Sequence, residues 1–199
     1  MKKTNKGFSL VELIIVIAIM AILAGAIAPA LIRYIDKSRR SNDVSSAKTI
    51  KTAVETALGN ESIYEILTNT STQTVIEFDP GASTSGSGST SHGMTITGCS
   101  VNDSQGKPIN KLSLTDCAEE IGTNIGEKIP KVKYKKEIDL ATGKEKKTGG
   151  SKPETFFAVI STKGTVYVGV GPKSATPTVT SSGLNGVAEL TPNVCDGYQ

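Results

Sequence analysis

From Leu13 to Ile32 every residue is apolar, glycine or proline, and a single carboxylate, Glu12, stands at the head of that run. A helix rising about 1.5 Å per residue crosses a bilayer core with about 20 such residues, so the stretch must find lipid or an equally dry partner. Glu12 then lies just inside the membrane edge. An ionisable group there is disfavoured by on the order of a few kcal/mol unless it is paired or protonated, which makes it a functional candidate from the outset.

Two plainer readings of this start are weaker. A cleavable secretory signal has an apolar core of about 7–15 residues, whereas this run is longer, opens on an acid, and its triplet Ala26-Ile27-Ala28 is followed by Pro29. A simple single-span anchor needs only hydrophobic length and leaves the residues ahead of the run unexplained. Those residues are Lys2, Lys3 and Lys6, then Gly7-Phe8, then Glu12 five positions after the glycine. As a joint pattern, this N-terminus resembles the class III signal of type IV pilins and their pseudopilin relatives, over roughly the first third of the chain.

The resemblance implies a division of the chain: a basic leader over 1–7, an apolar transmembrane and filament-core helix over 8–33, an amphipathic continuation over 34–59, and a globular head over 60–199. It implies cleavage after Gly7 and methylation of the new amine on Phe8 by a prepilin peptidase, with the leader in the cytoplasm and the remainder exported. Charge alone does not orient the span, because Arg33, Lys37, Arg39 and Arg40 follow it. The expected history is a precursor in the bacterial cytoplasmic (inner) membrane, then an extracellular, surface-displayed filament built with an assembly ATPase and a membrane platform.

Loss of Lys2, Lys3 and Lys6 leaves 19 of the 22 basic side chains against 19 acidic ones, so mature side chains sum to zero and copies can stack without strong repulsion. The expected assembly contact is local: the charged amine of Phe8 on an incoming copy meets the Glu12 carboxylate of its neighbour in low dielectric, fixing axial register. The resemblance also marks Gly25 and Pro29 as helix breakers where the helix bends or melts during assembly; an ordinary membrane-helix kink accounts for them equally. Retention of Glu12 favours a subunit added throughout a fibre over one at its tip.

Beyond Ile32 the pattern turns amphipathic, with Val44, Ala47, Ile50, Val54, Ala57 and Leu58 on one face and Lys48, Lys51 and Glu55 turned away. One rod of about 75 Å from Phe8 to Leu58, ending at Gly59-Asn60, is the expectation, although Asp36, Ser41, Asn42 and Asp43 could cap a fresh helix. Ser62-Ile63-Tyr64-Glu65 reads as a capping box for a short helix through Leu67. The span 79–93, rich in Gly, Ser and Thr, reads as a flexible loop. Ser113 to Ile125 carries helical spacing; Val132, Tyr134 and Ile138 suggest an edge strand; Thr155–Thr162 and Thr165–Val170 form a hairpin turning at Lys163-Gly164. From Gly171 a proline-containing tail is expected to wrap over the sheet rather than join it as a central strand. The fold class is therefore α+β, a long N-terminal helix packed on a small antiparallel-sheet head, as in the pilin fold.

Catalysis has little to work with. The one histidine, His92, lies in the Gly/Ser loop, and there is no phosphate-binding motif, nucleophile elbow or metal-ligand spacing, so no enzyme activity, cofactor or metal is expected. Asp116, Glu119 and Glu120 suit a helix N-terminus better than an acid/base pair. Cys99, Cys117 and Cys195 are an odd set, so at least one lacks an internal partner. Pilins often clasp a C-terminal loop with a disulfide, which makes Cys195 with Cys117 or Cys99 the tempting match, but the spacing does not choose, and Cys117 also fits a buried free thiol. Lys131, Lys133, Lys135 and Lys136 form a basic surface that could meet DNA, an anionic cell surface or an acidic neighbouring copy, ranked behind a solvated edge strand. The expectation is a homo-oligomeric structural subunit of a type IV pilus filament. A pseudopilin of a type II secretion or DNA-uptake machine is the alternative, and a monomeric membrane-tethered binding module is the alternative of another class.

Overall fold

The computed structural model describes residues 8–68, 72–80, 90–91, 93–102, 105–126, 128–173 and 175–199. Gly7, the leader lysines, His92 and most of the expected loop at 79–93 lie outside the described residues. The chain falls into two compact units, Met1–Ser38 and Arg39–Gln199.

Helix α1 runs from Leu10 to Leu58 with Pro29 inside it, and no fresh cap interrupts it at Asp36 or Ser41–Asp43. In the second unit its residues Ala47, Ile50, Val54 and Ala57 are fully buried in the core, with Val44 and Leu58 packed beside them, as the spacing anticipates. Lys48 and Glu55 are exposed. Helix α2 spans Glu61–Thr68. Its cap is Asn60 rather than the expected Ser62: the Asn60 side chain accepts the Ser62 N–H at 3.1 Å and its carbonyl accepts the Tyr64 N–H at 2.9 Å. An Asx side chain immediately after the α1 terminus closes one helix and opens the next.

Among the described residues, one antiparallel sheet orders its strands β2 (Thr90–Ser91), β3 (Met94–Thr97), β1 (Thr74–Phe78), β4 (Thr155–Ile160), β5 (Val166–Gly171) and β8 (Ala188–Thr191). The expected β4–β5 hairpin sits at its centre, and β1 lies on the other side of β4 in the register Ile76↔Ala158. Helix α3 (Leu114–Ile125) carries a complete capping box, Ser113 with Asp116, and buries Cys117, Ala118 and Ile121 against the sheet.

Two expectations need correction. Residues 131–137 form no strand of a sheet: Val132 and Tyr134 point into the core and Lys131, Lys133 and Lys135 point out, but the backbone N–H groups of Lys133 and Tyr134 donate to the Asp43 carboxylate instead of to a ladder. Alternation alone does not make a strand when a helix side chain takes the donors. The tail is likewise divided. Strand β8 joins the sheet at its edge beside β5, while β6 (Thr178–Thr180) and β7 (Gly183–Asn185) form a separate two-stranded ribbon. Strand β5 accommodates the tail through Gly169, where a Cβ would meet the Ala188 carbonyl at 2.7 Å and Val187 at 2.9 Å. Strand β4 is accordingly buried along its whole length.

Candidate functional site

In the first unit the large apolar side chains from Phe8 to Ile35 are exposed, Phe8 at 81% of its surface. The richest 18-residue window has a mean hydropathy of 2.9 and none of it is buried. Each such side chain gains about 1.5–3 kcal/mol on full transfer out of water, so the segment carries tens of kcal/mol of unrealised burial. Its start is built by Ser9 and Glu12. The Ser9 carbonyl accepts the Leu13 N–H at 3.2 Å, and the Glu12 carboxylate reaches back to accept the Ser9 N–H at 2.9 Å. Glu12 is thus the third residue of a helix headed by Ser9, where a carboxylate satisfies an orphan donor and complements the helix dipole. The Ser-x-x-Glu spacing carries that signal in the sequence, and attention to the charge of Glu12 alone passes it by.

Gly25 and Pro29 meet at one point in the ladder. Pro29 lacks the N–H that would donate to the carbonyl four residues earlier, and that carbonyl belongs to Gly25. The helix nevertheless continues through both residues. A Cβ built on Gly25 meets nothing within 4 Å, so packing does not require glycine there.

The second unit presents a clamp at the chain's last turn. Arg40 of α1 donates to the Gly197 carbonyl, donates to the Tyr134 hydroxyl at 2.6 Å, and lies 4.3 Å from the Tyr134 ring centre and 5.7 Å from that of Tyr198. The two rings meet edge to face at 5.9 Å. The 3-10 turn Asp196–Tyr198 is held from the other side by the Gly197 N–H donating to the Thr142 carbonyl at 2.8 Å; a Cβ on Gly197 would strike the Gly143 backbone, and one on Gly143 would strike the Cys195 sulfur. One turn along α1, Asp43 is fully buried and accepts the N–H groups of Lys133 at 2.7 Å and Tyr134 at 3.0 Å. Burial pushes the Asp43 carboxyl above its ordinary pKa, opposed by those two hydrogen bonds.

A family model described as a prokaryotic N-terminal methylation motif matches residues 2–28. Type IV major fimbrial protein FimA of Dichelobacter nodosus is 45% identical over 58 residues, 29% of this chain and 37% of the relative. Over its N-terminal segment the chain is similar to type IV pilins. Fimbrial protein Q of Moraxella bovis is 50% identical to this chain over 54 residues, and a fimbrial protein of Pseudomonas aeruginosa is 38% identical over 87, covering 34% and 56% of those relatives. The chain spans between about a third and just over half the length of these curated relatives, and no solved structure matches it.

The remaining candidate residues of this chain are dispersed. Lys131, Lys133 and Lys135 are exposed in the extended segment, whereas Lys136 pairs with Glu145 at 3.1 Å, Lys144 with Asp196 at 3.3 Å and Lys146 with Asp139 at 3.8 Å. The expected basic surface is therefore narrower than the count of lysines suggests. Cys99, Cys117 and Cys195 are free thiols. Burial raises the pKa of all three, that of Cys117 and of Cys195 to about 11. Among the described residues no three His, Cys, Asp or Glu side chains group as metal ligands.

Proposed function

We propose that this protein is a type IV pilin, the repeating structural subunit of a type IV pilus. In this reading it is made as a membrane precursor, cut after Gly7 and methylated on Phe8 by a prepilin peptidase, then moved by an ATPase-driven platform from the bilayer into a surface filament. The observation that carries the reading is the unburied apolar segment of α1 headed by a single carboxylate. Such a surface is tolerated in lipid before assembly and among identical helices after it, and in neither place does it meet water. Glu12 supports the same reading. One of its oxygens holds the Ser9 N–H, leaving the carboxylate oriented at the head of the helix to receive the Phe8 amine of another copy. The names of the relatives, major fimbrial proteins, favour an abundant fibre-forming subunit over a pseudopilin.

Filaments sheared from cells test the reading. Their principal subunit should begin at an N-methylated Phe8 when its intact mass and first residues are determined. Recovery of the chain only as dispersed membrane protein, still starting at Met1, would overturn it.

A further inference from the structure

The three thiols of the head are not equivalent. Cys195 belongs to the last-turn clamp, against Gly143 and near Tyr198. Cys99 and Cys117 share a different place. Gly98 follows β3 with a φ of 83°, and its backbone runs so close to Gln73 and Thr74 that a Cβ there would strike the Gln73 carbonyl. That turn brings Cys99 against the core beside Thr74, at the rim of β1 and β3. Cys117 lies in the first turn of α3 on its wholly buried face, and α3 packs on β2 and β3, the strands that lead into Cys99.

From this placement we infer that Cys99 and Cys117 are the oxidisable pair of this protein and that Cys195 is the odd thiol. A bridge between them ties α3 to the rim of the sheet and leaves the chain's last turn to the noncovalent Arg40 clamp. A thiolate at Cys117 is disfavoured first by burial and then by the Cys99 sulfur. The reaction balances as thiol–disulfide exchange. Both S–H bonds are lost, one S–S bond forms, two protons leave, and two electrons reduce the disulfide of glutathione or of a thiol oxidoreductase to two thiols. Because Cys117 is fully buried once the head is folded, an external disulfide reaches it only before α3 docks, so the bridge forms during folding rather than afterwards. The proposed export of the head supplies an oxidant in the cell, and the inference rests on that reading for its occurrence in vivo. The pairing itself does not.

The test refolds the full-length chain in detergent from reductant into a mixture of reduced and oxidised glutathione, followed by alkylation and digestion without reduction. Cleavage after Lys111, which is followed by Leu112, separates the two thiols onto different peptides. The expected result is those peptides joined, with a mass two hydrogens below their sum, and Cys195 alkylated; Cys195→Ala retains the link and Cys117→Ser loses it. Three alkylated cysteines in a chain with native circular dichroism, or a bridge to Cys195, overturns the pairing. Where refolding fails, the same map on chain extracted from membranes or filaments decides it. A link formed in glutathione but missing from the cellular protein upholds the pair and counts against an oxidising location.

Discussion

Arg40 stacks its guanidinium 4.3 Å from the ring centre of Tyr134 and donates to that residue's hydroxyl, while its other arm holds the Gly197 carbonyl. Three segments far apart in sequence are thus pinned by one side chain. Arg40→Ala should destabilise the head by about 2–3 kcal/mol, through a lost cation–π contact and charge-assisted hydrogen bonds. Arg40→Lys should recover less than half of that, because an ammonium cannot fork between two acceptors. Denaturant titration of the full chain checks both, and an unchanged midpoint for Arg40→Ala would remove the clamp from the stability argument.

Asp43→Ala leaves two backbone donors buried without an acceptor, at about 1–3 kcal/mol each. The variant should lose about 2–6 kcal/mol and release residues 131–137, read as faster hydrogen exchange at Lys133 and Tyr134. Protection at those two amides that survives the substitution would show another acceptor.

Acid acts on two carboxylates with opposite sign. Hydrogen bonds from Ser113 lower the Asp116 pKa in the folded protein, so its stabilisation is present above the ordinary carboxylate range of about 4 and lost as pH falls through the lowered value. Burial raises Asp43, so its favourable proton uptake is complete below that range and gone once pH rises past the raised value. The stability gap between the wild type and Asp116→Asn should therefore shrink from pH 7 toward pH 3, as measured by denaturant titration. A gap that widens in acid contradicts the assigned direction.

Glu12→Gln separates two roles of one residue. The amide oxygen can still accept the Ser9 N–H, so membrane insertion and the helix start should persist, while the charge that would pair with the Phe8 amine is gone. Each loss of about 1.4 kcal/mol in the pairing weakens the addition of a subunit about tenfold, so electron microscopy should show far fewer filaments than in the wild type. Wild-type piliation in this variant would show that the carboxylate serves only as a cap.

Pro29→Ala restores the donor that the Gly25 carbonyl lacks. The new amide at position 29 should exchange slowly in detergent, and those just after Gly25 should slow by at least several-fold. Unchanged exchange along 26–29 would mean that the missing bond does not loosen this turn.

The long helix was legible from its two signals, hydrophobic run and 3.6-residue period, although the polar stretch at 36–43 between them left a fresh start open and only the structure shows the helix unbroken there. Strands β4 and β5 were legible as continuous β-branched and aromatic runs around a Lys-Gly turn. Strand β1 escaped notice because five residues beside a Ser/Thr-rich stretch show too little period, although its partner β4 makes it central. The apparent strand at Val132–Ile138 had the right alternation, but Lys133 and Tyr134 donate to the Asp43 carboxylate, some 90 positions earlier, and bridge-type pairing is confined to its end, where Glu137 and Ile138 bond Lys146 and Ser151. Local pattern cannot announce a donor taken by a distant side chain. The Ser9–Glu12 start was the reverse case, local and readable, yet overshadowed by the charge of the acid.

The β6–β7 ribbon stays outside the main ladder and is fastened by two side chains. The Gln73 amide both donates to and accepts from Val179, and Glu189 accepts the Leu184 N–H. Its outward residues, such as Thr178, Thr180 and Asn185, answer to neither fastener. A foreign epitope could therefore be spliced over the ribbon's outer surface while folding proceeds around an untouched framework, giving this molecule a natural display window.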